Sequence, residues 1–214
     1  MRIILATSNK DKVREIKEIF TQTLSDLNPS VIPWDELVVP FEIEENGSSF
    51  KENALIKSKA VFRILSKKGL LDKNDFVLSD DSGICVDKLG GIPGIYSARY
   101  SALYSDKSGS AKENLELLLK EVKKLEGQTS SAHYCASIGI SSFFGDFSTH
   151  GFMYGCVIAQ KRGENGFGYD PMFIPQGFKH TLAELDAESK NNISHRKIAL
   201  DLASLILRAL KPIL

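Results

Sequence analysis

Two adjacent carboxylates, Asp80 and Asp81, follow the apolar run Phe76-Val77-Leu78 and Ser79, and precede Ser82-Gly83. Neighbouring acids with no Lys or Arg beside them in the chain repel each other, and a proton or a cation relieves the repulsion. A divalent metal is the obvious candidate. Side chains alternate across a strand, so the two acids are expected on opposite faces, one meeting the metal and the other standing behind it or bonding to backbone. The residues alone leave open which is the inner ligand. A capped turn with solvated acids fits the same pattern.

Four further stretches carry chemistry. Thr7-Ser8-Asn9-Lys10-Asp11-Lys12 lies between the apolar run Ile3-Ile4-Leu5-Ala6 and the helically spaced Val13, Ile16, Ile19 and Phe20. Such a strand-to-helix turn presents free backbone N–H groups at a helix N-terminus, where the dipole favours anions, and Lys12 adds a positive charge. It reads as a phosphate cradle without the glycine-framed pattern of a P-loop, although ordinary Ser and Asn capping explains the same residues. Lys57 falls inside the helical stripe Phe50, Ala54, Val61, Ile64 and Leu65. Burying an unpaired ammonium is costly, so Lys57 is expected to meet a carboxylate or phosphate rather than snorkel, with Asn53 bordering the same face. In Gly163 to Pro171, three glycines surround Phe167 and Tyr169, a loop on which a flat ligand can lie against an aromatic ring. Finally, His195 and Arg196 open the last helix, where cations oppose the macrodipole. Such local conflicts concentrate at functional sites.

The elements that must hold these residues follow from hydrophobic periodicity. Arg2 to Ala6 and Phe76 to Leu78 read as buried strands, with a tight turn at Asp80 to Gly83 and another strand at Ile84-Cys85-Val86. Ala132 to Ser142 and Phe147 to Ala159 read as strands of a hairpin marked by Gly145-Asp146. Pro29 to Pro40 is a connection with short strands. Ser48 or Ser49 caps the Lys57 helix, with Glu52 closing a capping box behind the acidic loop Glu42 to Gly47. Residues 109–125 form a helix through Leu115, Leu118, Leu119 and Val122. Thr181 and Glu184 frame a short helix, and the last helix is expected to bury Ile198, Leu202, Leu205 and Ala209. Arg99 is expected to order the acidic turn or a subunit interface. Strands interleaved with helices predict an α/β fold with a mixed sheet.

Composition narrows the class. The chain has 214 residues, 43% hydrophobic and 25% charged, enough for one globular domain with a sizeable core. Lys plus Arg equals Asp plus Glu at 27 each, so no basic field points to nucleic acid or a membrane as partner. Neither terminus carries an apolar run long enough for a signal peptide or a span, so a soluble, intracellular protein is expected. Cys85, Cys135 and Cys156 lack metal or redox spacing and read as reduced packing residues.

Taken in order, Thr7 to Lys12, Phe50-Lys51-Glu52-Asn53-Ala54 with Lys57, Ser79 to Gly83, Gly91-Ile92-Pro93-Gly94 with Ser97-Ala98-Arg99, Gly166 to Pro171 and Ser194-His195-Arg196 resemble the inosine triphosphate pyrophosphatase family of house-cleaning nucleotide hydrolases. The likeness covers nearly the whole chain. It implies an elongated mixed sheet flanked by helices, a single domain over residues 1–214 with two lobes and a central cleft, and a cytoplasmic homodimer. It also implies hydrolysis of ITP, dITP and XTP to the monophosphate and pyrophosphate with Mg²⁺, Mn²⁺ being a substitute.

By the same resemblance Thr7, Ser8, Asn9, Lys10, Asp11 and Lys12 hold the triphosphate and Lys57 contacts it. Asp81 binds metal or activates water, with Ser82 beside it, and Glu45 is a second metal ligand. Phe167, Gly168, Tyr169, Asp170, Lys190, His195 and Arg196 hold the base. Two positions depart from the family pattern: Ala102 stands where glycine is usual and Lys161 where proline is. The competing expectations are a metal-dependent pyrophosphohydrolase of another modified nucleotide, such as a pyrimidine triphosphate, and a nucleotide-binding sensor without turnover.

Overall fold

The structure, a computed structural model, describes residues 1–104 and 109–211; the side chain of Asp11 lies outside the described set. The chain runs β1 (Arg2–Leu5), α1 (Lys10–Thr23), β2 (Ser30–Pro33), α2 (Phe50–Lys67), β3 (Phe76–Val86), α3 (Ala111–Lys123), β4 (Thr129–Ser142), β5 (Gly145–Ile158), β6 (Phe173–Pro175), α4 (Ala187–Ile193) and α5 (His195–Leu210), with short 3-10 turns between them. The strands form one sheet in the order β2-β1-β3-β4-β5-β6. β1 is parallel to β2 and β3, and β6 is antiparallel to β5, so the sheet is mixed, as the interleaved pattern predicts.

Two compact units divide the chain, Met1–Asp81 with Ala136–Gly151 and Arg196–Leu214, and Ser82–Cys135 with Phe152–His195. In the first, Ile3–Leu5 of β1 and Phe76–Leu78 of β3 are buried on both faces, which is why they read as unbroken apolar runs. Ile3, Leu5, Phe76 and Leu78 pack with Phe20 and with Ala199, Leu200 and Leu207 of α5. Ile4 and Val77, pointing the other way, pack with Trp34 and with Val61 and Leu65 of α2. In the second unit Leu115, Leu118, Leu119 and Val122 of α3 pack with Ile84, Val86, Tyr134, Val157 and Phe173. Ser110 and Glu113 form the capping box that starts α3.

The seat of α2 matters for the site. A Cβ at Gly139 on β4 would lie 2.6 Å from the Ala54 carbonyl oxygen. Glycine therefore lets α2 approach the sheet backbone to backbone, and Ser79 Oγ donates a hydrogen bond to the same carbonyl. Lys57 stands one turn further on.

Three expectations are corrected. The acids do not end a strand: β3 is a single strand of 11 residues running through Ser79-Asp80-Asp81-Ser82-Gly83. Gly83 serves close packing rather than a turn, since a Cβ there would lie 2.4 Å from Ser97 Oγ and 2.6 Å from the Gly94 oxygen. The Ser49 cap of α2 forms, but Glu52 reaches Ser48 N and Oγ, so the box is not closed on Ser49. In α5 the expected stripe is reversed: Ile198, Leu202, Leu205 and Ala209 are exposed, while Ala199, Leu200, Ala203 and Leu207 are buried. Two stripes share the helical period here, and the close approach of β5, where Thr149 Oγ1 donates to the Ala199 oxygen at 2.7 Å, selects the one with small residues.

This reversal has a direct test in urea denaturation. Leu207→Ala is expected to cost about 2–5 kcal/mol, as for a fully buried leucine, whereas Leu205→Ala stays within about 0.5 kcal/mol of wild type. Equal losses at the two positions contradict the assigned face.

Candidate active site

The first unit gathers an ionic cluster around β3. Asp80 points one way and Asp81 the other, as alternation requires. Asp80, fully buried, meets Lys12 Nζ at 2.6 Å and Arg196 Nε at 3.4 Å, and Arg196 Nη1 donates to Glu15 Oε2 at 2.6 Å. Burial alone would raise the Asp80 pKa, but Arg196 and Lys12 more than reverse it and hold the carboxyl far below the usual range. On the other face, Lys57 Nζ lies 3.0 Å from Glu45 Oε2 and 3.3 Å from Asp81 Oδ1. The ammonium on the core stripe of α2 has thus found carboxylates. Burial disfavours its charge, yet Asp81 and Glu45 leave the Lys57 pKa raised. Asp81 is raised as well, by burial first and by the neighbouring Glu45, against the pull of Lys57.

Ahead of this cluster, Asn9 starts α1. Its Oδ1 accepts the Lys12 N–H at 3.2 Å, while its own N–H donates to Thr7 Oγ1 at 3.2 Å. Two N–H groups of the expected cradle are therefore taken by side chains. Ser8 and Lys10 are exposed and Thr7 is half-buried.

The second unit holds the aromatic loop. Phe167 is 68% exposed, whereas Tyr169 is buried and donates its hydroxyl to the Ser97 oxygen at 2.7 Å. Of the two rings considered for stacking, only Phe167 is presented. Asp170 Oδ2 accepts from Lys190 Nζ at 2.6 Å and from the Phe167 N–H at 3.1 Å, and Lys190 Nζ stands 5.9 Å from the Phe167 ring centre. Gly166, at φ 85°, packs so tightly against this pair that a Cβ would lie 2.2 Å from Asp170 Oδ2. The His195 ring stacks on Tyr134 at 4.9 Å. Gly168 and Ser82 are half-buried.

Within the first unit, then, Glu45, Lys57 and Asp81 come together, and so do Lys12, Asp80 and Arg196. Phe167, Asp170 and Lys190 meet in the second. Arg99 is exposed and lies over the Tyr96 ring at 5.6 Å. Lys161, one of the two departures from the family pattern, forms an ion pair with Glu116. Sequence reasoning missed Glu15 and Tyr134. Glu15 had a faint signal, being one helical turn from Lys12; Tyr134, one aromatic among the alternating residues of a strand, had none.

Glu45 and Asp81 suit a hard divalent cation. Asp81 Oδ2 is buried and has no hydrogen-bond partner among the described residues, which leaves an acceptor to be satisfied. No cluster of three or more His, Cys, Asp or Glu residues able to hold a metal occurs among the described residues. Two carboxylates are what Mg²⁺ takes when waters and phosphate oxygens complete its shell.

The Asp80 pairing predicts a stability effect. Asp80→Asn leaves Arg196 and Lys12 without their carboxylate and is expected to cost about 3–5 kcal/mol at neutral pH. Because the folded-state pKa lies below the ordinary 3.8, this stabilisation is complete above that value and is lost as pH falls below it. Denaturation midpoints of wild type and mutant should keep a constant gap from about pH 8 to 5 and converge below about pH 4. A gap independent of pH throughout would contradict the pairing.

Known proteins resemble this chain along its length. The sequence profile of the Ham1 family matches residues 3–204. A dITP/XTP pyrophosphatase of Campylobacter jejuni subsp. doylei is 56% identical over 211 residues, covering 98% of each chain. One from Sulfurimonas denitrificans is 54% identical over 210 residues, 98% of this chain and 100% of the other. Among solved structures, the Ham1 protein of Staphylococcus aureus superimposes with a TM-score of 0.83 at 35% identity, covering 99% of this chain and 100% of that one. The Ham1 protein of Coxiella burnetii gives 0.82 at 34% identity, over 98% and 99%. With a mixed sheet, a matched profile and full-length relatives in agreement, the chain belongs to the Ham1 family.

Proposed function

We propose that this chain hydrolyses deaminated purine nucleoside triphosphates, ITP, dITP and XTP, to the monophosphate and pyrophosphate. The observation that carries the reading is the Glu45–Lys57–Asp81 group, with its unsatisfied Asp81 oxygen, in a chain whose relatives are dITP/XTP pyrophosphatases. The proposal includes Mg²⁺ or Mn²⁺ held by Glu45 and Asp81, and a single two-lobed domain acting as a cytoplasmic homodimer on a small nucleotide. It involves neither nucleic acid nor membrane as a partner. No helix among the described residues is long and apolar enough to cross a membrane.

A bound divalent cation supplies Lewis-acid polarisation of the phosphate oxygens. The protein's own residues do the rest. Thr7, Ser8, Asn9, Lys10, Asp11 and Lys12 hold the triphosphate by charge and N–H groups at the start of α1. Asp81, whose buried Oδ2 has no hydrogen-bond partner among the described residues, orients the attacking water with Ser82 beside it and accepts its proton. Water adds to the α-phosphorus as the bond to the bridging oxygen breaks, and Lys12 and Lys57 neutralise the departing pyrophosphate. Phe167 stacks on the base, with Gly168, Tyr169 and Asp170 shaping the loop. Lys190, His195 and Arg196 donate to its 6-keto oxygen, which adenine replaces with an amino group. Arg196 already gives Nε to Asp80 and Nη1 to Glu15, so its substitution tests the ionic cluster together with the base.

Purified protein with ITP and Mg²⁺ is expected to release IMP and pyrophosphate, and to act more slowly on ATP. IDP and orthophosphate as first products would sink the assigned bond. Turnover of a modified pyrimidine triphosphate instead favours the broader pyrophosphohydrolase, and binding without turnover favours a sensor. Asp81→Asn should lower kcat by about 10²–10⁴-fold with KM for ITP within about threefold, since the phosphate contacts survive. A mutant that keeps wild-type kcat removes Asp81 from the reaction.

A further inference from the structure

Tyr134, on β4, touches both His195 and Asp170, two of the residues assigned to the base. Its ring stacks on the His195 imidazole, with centroids 4.9 Å apart and planes 20° from parallel, and meets Phe173 edge-on at 4.9 Å. Its hydroxyl donates to Asp170 Oδ1 at 3.4 Å. The other oxygen of Asp170 holds Lys190 Nζ and the Phe167 N–H. A phenylalanine would fill this core position equally well, and a buried hydroxyl costs stability unless bonded. The hydroxyl therefore has a local reason to be there, namely the carboxylate it meets. Burial first, and then the adjacent Asp170, push its pKa well above the ordinary phenol value, so it stays a donor at every working pH.

We propose that Tyr134 is a positioning residue for base recognition: its ring fixes the plane of His195 and its hydroxyl fixes Asp170, so one side chain sets the directions of His195, Lys190 and Phe167 together. This rests on the reading that those three residues hold the base. Discrimination between a 6-keto and a 6-amino purine depends on donors held in place, because a donor free to turn away from the amino group loses little by the mismatch. Tyr134 thus acts on base choice through its neighbours, without touching the reacting phosphorus.

The test is steady-state kinetics with ITP and ATP, in Mg²⁺, on the full chain as wild type, Tyr134→Phe and Tyr134→Leu, alongside thermal melting. Tyr134→Phe keeps both ring contacts and removes only the hydroxyl. It should melt close to wild type, leave kcat for ITP within about twofold, raise KM for ITP and cut the ITP over ATP ratio of kcat/KM by about 3- to 10-fold, the range of one hydrogen bond. Tyr134→Leu also removes the platform under His195, and its ratio should fall further. A variant that only weakens the fold lowers the melting temperature and leaves the ratio alone. If Tyr134→Leu fails to fold, Tyr134→Phe decides by itself. Wild type that prefers ITP, with an unchanged ratio and KM in Tyr134→Phe, overturns the proposal alone. Wild type with no preference for ITP overturns the reading of the base residues, and the proposal with it.

Discussion

The structure turns on how two adjacent carboxylates are tolerated in the middle of a buried strand. Coulomb repulsion between neighbouring ionised acids in a low-dielectric interior is severe, and β3 relieves it by geometry. Strand alternation sends Asp80 to Lys12 and Arg196 and Asp81 to Lys57, whose ammonium Glu45 also meets, so the two acids draw on different cations. The two sides are not equivalent. Asp80 is held ionised by two cations at once, whereas Asp81 shares one ammonium with a second carboxylate and keeps an unsatisfied oxygen. The first arrangement fixes Asp80 as an anion between two cations; the second leaves an acceptor for a ligand.

Much of the fold in the first unit exists to bring those cations in. Lys12 arrives because Asn9 caps α1 just beyond β1. Lys57 arrives because Gly139 lets α2 lie against the sheet at Ala54. Arg196 arrives from the start of α5, where a cation opposes the helix dipole by a few tenths of a kcal/mol. Pairing with Asp80 and Glu15 outweighs that. The second unit solves a different problem, presenting Phe167 on a glycine loop whose carboxylate, Asp170, is fixed by Lys190 and by Tyr134.

The mixed α/β class, the strands flanking the chemistry, the capped helices and the core of α3 were legible because each rests on local periodicity and capping, which depend on neighbours in sequence. So was the anomaly of Lys57, since a lysine on an apolar stripe demands a partner whatever the fold. The errors share a cause. Asp80-Asp81 beside Ser82-Gly83 reads as a turn because small polar residues and glycine usually mark one, but β3 runs on and Gly83 serves close packing from Gly94 and Ser97. The buried face of α5 is not legible because two apolar stripes share its period, and the tertiary contact of Thr149 with Ala199 lies on the one that carries Ala199, Leu200, Ala203 and Leu207.

By itself the sequence determined the order and type of most elements, the motifs that join this chain to the Ham1 family, and the residue types available for chemistry. These follow from covalent order and short-range physics. Tertiary structure alone decided the partners: that Asp81 rather than Asp80 shares Lys57 with Glu45, that Arg196 is buried between Asp80 and Glu15, that Tyr169 is withdrawn while Phe167 is presented, and that Tyr134 links His195 to Asp170. Each is a contact between residues far apart in the chain. Charge pairing and stacking depend on distances of a few ångströms that no sequence spacing encodes.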